Sequence, residues 1–344
     1  MRVLITGVAG FVGGHVVGFL HERHPEVTVV GLDSRPGPRA QALEIEIVQA
    51  DLEDAAAVHS ALARIRPDRI IHLAAQSSPQ RSWQDPAGTL RTNVMGMLHL
   101  LEAVRAGAAA PRILAVGSTD EYGLVQPDEL PLREDAPLRP VSPYAVSKVA
   151  QGYLALQYAL CPGLHVVRTR TFHHTGPRRG ESFAESSFAR QLAEIEAGRR
   201  APRLDVGNLE VVRDFTDVRD VVRAYWMLLD HGAPGEVYNV CSGRGVRLGD
   251  LLDRLIALSG LRVEVHRDAS RLRPADVPAL VGDPSRLRAA TGWEPTIPLE
   301  RTLGDLLDYW RERVGLRAAP ASRRGSFNAE GAKARRVKRR DADT

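Results

Sequence analysis

Near its start the chain carries Gly7-Val8-Ala9-Gly10-Phe11-Val12-Gly13, and this run restricts the possible fold more than any other. Before it, Arg2-Val3-Leu4-Ile5-Thr6 has the continuous apolar texture of a strand buried on both faces; after it, His15 to Leu20 has a helical pattern. Glycines at every third position between a strand and a helix allow a tight turn and a close backbone approach. They leave the helix N-terminus facing an anion. The arrangement predicts a dinucleotide site in which Gly7, Gly10, Phe11, Val12 and Gly13 meet the pyrophosphate. A merely flexible glycine turn would not require both flanking elements.

The next segments extend that site. A second strand, Val27 to Leu32, ends in Asp33-Ser34-Arg35. An acid here binds both ribose hydroxyls of NAD and repels a 2′-phosphate, whereas Arg35 would accommodate the phosphate of NADP. The two signals conflict; the acid tips the expectation to NADH, with NADPH as the alternative. Asp51 and Leu52, after the strand Ile45 to Gln49, are placed to meet the adenine. The strand Ile70-Ile71-His72 runs into Leu73, Ala74 and Ala75, expected beside the cofactor, and Gln76, a candidate substrate contact. His72 reads as a satisfied core histidine. Asn93, where a long helix opens behind the sheet, is a further candidate cofactor contact.

The chemistry is expected at Ser142-Pro143-Tyr144-Ala145-Val146-Ser147-Lys148. Tyr144 and Lys148 are four residues apart and share a helix face. A cation near a phenol favours its ionised form, so the pair suits proton transfer at a substrate oxygen. The strand Ile113 to Gly117 delivers Ser118-Thr119-Asp120-Glu121-Tyr122 to the same place, and a hydroxyl there can stabilise developing charge.

Strands alternating with helices over 1–170 predict an α/β fold: a Rossmann-type, doubly wound parallel sheet. Residues 171–316 change in texture and are read as a smaller C-terminal α/β substrate-binding lobe, interleaved with returns to the sheet. Residues 317–344 hold nine Lys/Arg and three Asp/Glu. The formal charge of +4 is therefore a property of this basic tail, and the rest of the chain carries about −2. The tail is expected to be disordered, with contact to anionic surfaces as the alternative. The body is not a nucleic-acid binder on charge grounds. No apolar run reaches the roughly 18 residues that span a membrane, and the start does not resemble a leader peptide. Cys161 and Cys241 show no metal-ligand spacing, and adjacent His173 and His174 lack a third ligand, so no metal is expected. Two reduced thiols and no leader predict a cytoplasmic protein.

With Gly7, Gly10, Gly13, Asp51, Tyr144 and Lys148 assembled, the chain resembles the extended short-chain dehydrogenase/reductase family from Met1 to about Gly315. More narrowly, it is similar to the nucleotide-sugar epimerases and dehydratases. The resemblance implies that Tyr144 is the general acid/base, that Lys148 holds the nicotinamide ribose and lowers the tyrosine pKa, and that Ser118 orients the sugar oxygen, with Thr119 second. Thr175-Gly176-Pro177, Gly207-Asn208-Leu209, the run Arg213 to Asp220 and Tyr238-Asn239-Val240 look like the GDP-mannose branch. There Arg213 and Arg273 would clamp the diphosphate and Asp276 the nucleotide ribose, with Asn208 another substrate contact. His173 stands where the branch usually has asparagine, and it is kept as a substrate contact.

Two activities of that branch compete. One is 4,6-dehydration of GDP-mannose, for which a glutamate removes the C5 proton. The other is NAD(P)H-dependent reduction of GDP-4-keto-6-deoxy-D-mannose at C4, giving GDP-6-deoxy-D-mannose (GDP-D-rhamnose). Counted back from Tyr122, Asp120 occupies the glutamate position, about one methylene short. An alignment slipped by one residue would instead make Glu121 the base and Thr119 the hydroxyl. The ungapped count favours the reductase, with the GDP-linked 4-keto-6-deoxy sugar as partner. A binding protein without chemistry is the rival from another class. Helices near 90–105 and 145–160 resemble those that pair in family homodimers.

Overall fold

The computed structural model describes residues 1–271 and 277–316. The basic tail, Arg273 and Asp276 lie outside the described residues. Among the described residues thirteen strands follow one another: β1 Arg2–Thr6, β2 Thr28–Asp33, β3 Glu46–Gln49, β4 Arg69–His72, β5 Arg112–Ser118, β6 Val166–Thr171, β7 His173–Thr175, β8 Arg203–Val206, β9 Val212–Asp217, β10 Val237–Val240, β11 Gly245–Arg247, β12 Glu264–Arg267 and β13 Ala279–Leu280.

Seven of them form one sheet in the order β10-β6-β5-β4-β1-β2-β3, parallel throughout. Chain order reverses beside β1, with β2 on one side and β4 on the other. A crevice opens at the strands' carboxyl ends at such a point. Alternation along β1 explains the two layers. Val3 and Ile5 pack with the helices Phe11–Arg23 and Val218–His231, through Val16, Leu20, Val221 and Leu229. Leu4 points oppositely, to Val58, Leu62, Met97 and Leu100 of the helices Ala55–Ile65 and Gly96–Ala106. Each such side chain, fully removed from water, contributes about 1.5–3 kcal/mol.

The smaller lobe has its own core, in which Phe188, Leu192, Leu251, Leu255, Leu303 and Leu307 bring three helices together. Its strands form β11-β9-β13 with β7 added to β9, and a pair β12-β8. β7 follows β6 after one residue and pairs with β9, so the polypeptide passes from main sheet to lobe at the crevice. Asp217 ties the junction: it caps the helix Val218–His231 through the Arg219 N–H (2.8 Å) and accepts from Thr302 Oγ1 (2.7 Å). Among the described residues, no helix is long and apolar enough to cross a membrane.

Candidate active site

A cavity of about 970 Å³ lies in that crevice. The glycine turn forms one wall. Gly7 has φ +68°, and a Cβ there would stand 2.8 Å from the Ala74 Cα; a Cβ on Gly13 would fall on the Val8 carbonyl. Side chains are thus excluded on both counts. Gly10 caps the helix Phe11–Arg23 with no side-chain bond, which leaves its first N–H groups to a ligand. Asp33, at the end of β2, accepts from the N–H of Ala9 (3.2 Å) and of Arg35 (3.1 Å). Asp33, Ser34, Asp51 and Leu52 line the cavity together, as do Leu73, Ala74 and Ala75 beyond β4. Arg35 is exposed and outside the lining.

Two predicted contacts sit behind the wall. Gln76 turns its amide into its own loop, donating to Ser78 O (2.9 Å) and Thr89 Oγ1 (3.1 Å) and accepting from the Ser78 N–H (2.7 Å). Asn93 accepts from the Gln76 N–H (2.7 Å) and donates to Ser147 Oγ (2.8 Å). A buried amide must find such partners, and here they tie the loop after β4 to the helix Pro143–Leu160. Neither residue lines the cavity.

The reacting groups converge from β5 and that helix. Ser142 caps the helix, accepting from the Ala145 N–H at 3.1 Å, and Tyr144 and Lys148 are buried in the cavity wall one turn apart. Burial pushes the Tyr144 phenol above its ordinary pKa, and the Asp120 carboxylate adds to the effect; a hydrogen bond with Ser118 and the Arg179 guanidinium oppose it. Lys148, which the resemblance implied would lower the phenol, is not among the groups that offset this burial. The lysine ammonium is turned to the Val116 carbonyl (2.9 Å) and Gln151 Oε1 (3.0 Å), and desolvation brings its own pKa down to about 8.

The turn after β5 separates the two acids. Ser118 Oγ accepts from the Asp120 N–H (3.2 Å). Glu121 accepts from the Ser118 N–H (2.8 Å) and from Arg170 Nε (3.2 Å), and is fully enclosed away from the cavity. Asp120 and Thr119 line the cavity, and the Thr119 Oγ1 is buried with no hydrogen-bond partner.

Across the cavity, His173 sets its ring edge-on to Phe215 at 5.8 Å. Asn208 and Arg213 line the far end, in the smaller lobe. Sequence reasoning missed His174 and Arg179. His174 stacks parallel on Phe11 at 6.0 Å and donates from Nδ1 to Phe172 O (2.9 Å); burial lowers its pKa to about 3, so the ring is neutral. Arg179 lies over Phe183 (3.4 Å) and Phe11 (5.0 Å) and pairs with Glu185 (3.4 Å). The available signal was the basic pair directly after Gly176-Pro177. His72 Nδ1 shares a hydrogen bond with Thr6 Oγ1 (2.9 Å), while its Nε2 has no partner. Cys241 is buried, Cys161 exposed, and both are free thiols. No group of three or more potential metal ligands occurs among the described residues.

Comparison with known proteins matches residues 4–306 to the family model described as GDP-mannose 4,6 dehydratase. The chain is 37% identical over 314 residues to GDP-6-deoxy-D-mannose reductase of Pseudomonas aeruginosa, covering 91% of this chain and 98% of the relative. It is 30% identical over 347 residues to GDP-mannose 4,6-dehydratase of Vibrio cholerae serotype O1, covering 88% and 92%. Among solved structures, RMD from Pseudomonas aeruginosa complexed with NADPH superposes with a TM-score of 0.81 at 36% identity, covering 91% of this chain and 99% of that one. DesIV, a dTDP-glucose 4,6-dehydratase from Streptomyces venezuelae with NAD and TYD bound, gives a TM-score of 0.82 at 26% identity, covering 92% and 98%.

Proposed function

The chain belongs to the GDP-mannose 4,6 dehydratase family, and we propose that within it the chain is an NAD(P)H-dependent reductase of GDP-4-keto-6-deoxy-D-mannose that forms GDP-6-deoxy-D-mannose. The single observation that carries the choice is the separation of the acids: Glu121 is committed to Arg170 behind the site, and only the shorter Asp120 reaches the cavity. Dehydration needs a carboxylate at the C5 proton; reduction needs none there.

The cavity fits a dinucleotide. Side chains are excluded at Gly7 and Gly13, the helix N-terminus is open, and Asp33 stands at the ribose position with its carboxylate held on both oxygens. Bound NAD(P)H supplies the hydride for C4. Tyr144 gives its proton to the oxygen of that carbon and is reprotonated from solvent. Its raised pKa keeps it in the acid form before the step, as a general acid requires. The Ser118 hydroxyl, beside Tyr144 in the cavity wall, meets the same oxygen and steadies its charge. Lys148 holds the nicotinamide ribose. Arg213, with Arg273, takes the diphosphate. On this reading, residues 1–170 with β10 hold the dinucleotide and 171–316 the sugar nucleotide. The inward Asp33 and outward Arg35 favour NADH.

Two observations favour a second reading: Asp120 is a cavity carboxylate, and dehydratases are among the relatives. The experiment is a paired assay with products followed by chromatography. One tube holds GDP-mannose with NAD(P)⁺, the other the 4-keto sugar with NADH or NADPH. Turnover confined to the second supports the reductase and reports cofactor preference; keto sugar formed in the first replaces it with the dehydratase.

The protein is further read as a cytoplasmic homodimer. Exposed Leu90, Met95, Val146 and Tyr153 mark the surface expected to pair, and light scattering at micromolar concentration tests it.

A further inference from the structure

Lys148 does not stand alone in the cavity wall. Its ammonium donates to Val116 O at 2.9 Å and to Gln151 Oε1 at 3.0 Å, while Gln151 Nε2 donates to the same Val116 carbonyl at 3.3 Å. The three groups close a small ring linking the helix Pro143–Leu160 to β5. Gln151 is 1% exposed and Lys148 5%. Residues 144, 148 and 151 follow the spacing of one helix face. Packing alone would be served at 151 by an apolar residue of similar volume, without an amide to satisfy. Two of the three ammonium N–H groups are occupied in this way, which leaves one for the cavity that Lys148 lines.

We propose that Gln151 is a positioning residue for Lys148, holding the ammonium in the cavity wall with one donor directed at the ribose of the nicotinamide cofactor. The inference rests on the dinucleotide reading given above. The charged and titratable groups that face this ammonium are few. Glu121, beyond β5, favours its charge and is itself paired with Arg170 of β6. His72 at the end of β4 feels the lysine charge and is neutral, its pKa lowered to about 3 by burial. Tyr144 lies one turn back on the same helix. An acceptor at 151 therefore matters in two ways. It fixes the direction of the third N–H, and it offsets part of the desolvation that brings the lysine pKa to about 8.

The test uses two variants of the full chain, Gln151→Leu and Gln151→Glu. The dissociation constant of NADH or NADPH is measured from nicotinamide fluorescence between pH 6 and 10, with kcat followed in parallel. The unaltered chain is expected to lose cofactor affinity on the alkaline side as Lys148 deprotonates. Gln151→Leu should move that midpoint down by about one pH unit. Gln151→Glu, which places a carboxylate beside the ammonium, should move it up. Unchanged midpoints in both variants overturn the proposal even if kcat falls, since a purely structural role would lower activity without shifting the titration. If Gln151→Leu does not fold, the near-isosteric Gln151→Glu decides alone: a raised midpoint supports the proposal and an unmoved one overturns it. An unaltered chain that binds neither nucleotide would overturn the dinucleotide reading and this inference with it.

Discussion

Glu121 and Arg170 form an ion pair, Nε to Oε2 3.2 Å, in which each side chain is less than a tenth exposed. The pair stands directly behind the reacting groups. Glu121 also accepts the Ser118 N–H, and Arg170 donates to Tyr122 Oη (3.2 Å) and Glu134 O (2.8 Å). Burial raises the glutamate pKa despite the guanidinium, so the carboxylate depends on Arg170 to remain charged. Removing one partner strands the other. Arg170→Met is expected to cost about 3–5 kcal/mol in urea denaturation. The double variant Glu121→Gln/Arg170→Met should lose clearly less than the sum of the single losses. Simple additivity would show that the two do not act as a unit.

Tyr144→Phe removes the proton donor and little else. We expect kcat for ketone reduction to fall about 10²–10⁴-fold while cofactor affinity, measured by fluorescence, stays within a few-fold. An equal loss in both would recast Tyr144 as a binding group. No change in kcat would mean that another group donates the proton, and no turnover in either protein would leave only the non-catalytic binder.

Asp120→Asn separates the two candidate reactions. If the site reduces ketones, the aspartate transfers no proton and the variant keeps turnover within about ten-fold of the original. A loss of 10² or more would place it among the proton-transfer groups and reopen dehydration.

These predictions rest unevenly on what the sequence disclosed. The placement of the glycine turn and of Tyr144 and Lys148 in the cavity wall was legible because it is set locally: by a strand, a turn and a helix, or by two side chains one helical turn apart. The parallel sheet followed from alternation of elements, again a short-range signal. Asn93 and Gln76 were legible as polar residues near the site but not as its scaffolding, because an amide's direction is set by distant partners, here Ser147 for Asn93. The choice between Asp120 and Glu121 hung on a one-residue slip, and the residue that settles which acid turns inward is Arg170, in a different strand. The tyrosine pKa shows the same limit. Spacing reveals a nearby lysine, but not that its ammonium is engaged with Val116 and Gln151 or that burial outweighs it.

Lys148→Met should trade function for stability. The lysine pKa falls from 10.5 to about 8 on folding, so the unfolded chain holds this proton more tightly and the folded state is disfavoured at neutral pH. The cost is relieved as pH rises from about 8 to 10.5. At pH 7 the variant should gain up to about 3 kcal/mol, less the hydrogen bonds it gives up, while losing turnover. A destabilised variant would mean that those bonds outweigh the desolvation.

Two buried imidazoles set the acid limit. His72 and His174 have pKa values lowered from 6.5 to about 3, chiefly by desolvation. Between those values the unfolded chain binds protons that the folded chain refuses. Stability from this source is therefore complete above about pH 6.5 and declines as pH falls toward 3. At pH 5 each ring would cost about 2 kcal/mol, so unfolding at pH 5 against pH 7 should show a loss of roughly 4 kcal/mol from these two rings, beyond what the carboxylates and the likewise lowered His15 and His165 contribute. His174→Asn isolates the effect. Its amide nitrogen can replace the Nδ1 donor to Phe172 O, yet it does not titrate. The variant should match the original near pH 7 and lose about 2 kcal/mol less than it at pH 5. An identical acid slope in the two proteins would mean that His174 becomes protonated without unfolding the chain, through a shift of its ring away from Phe11 toward the open cavity.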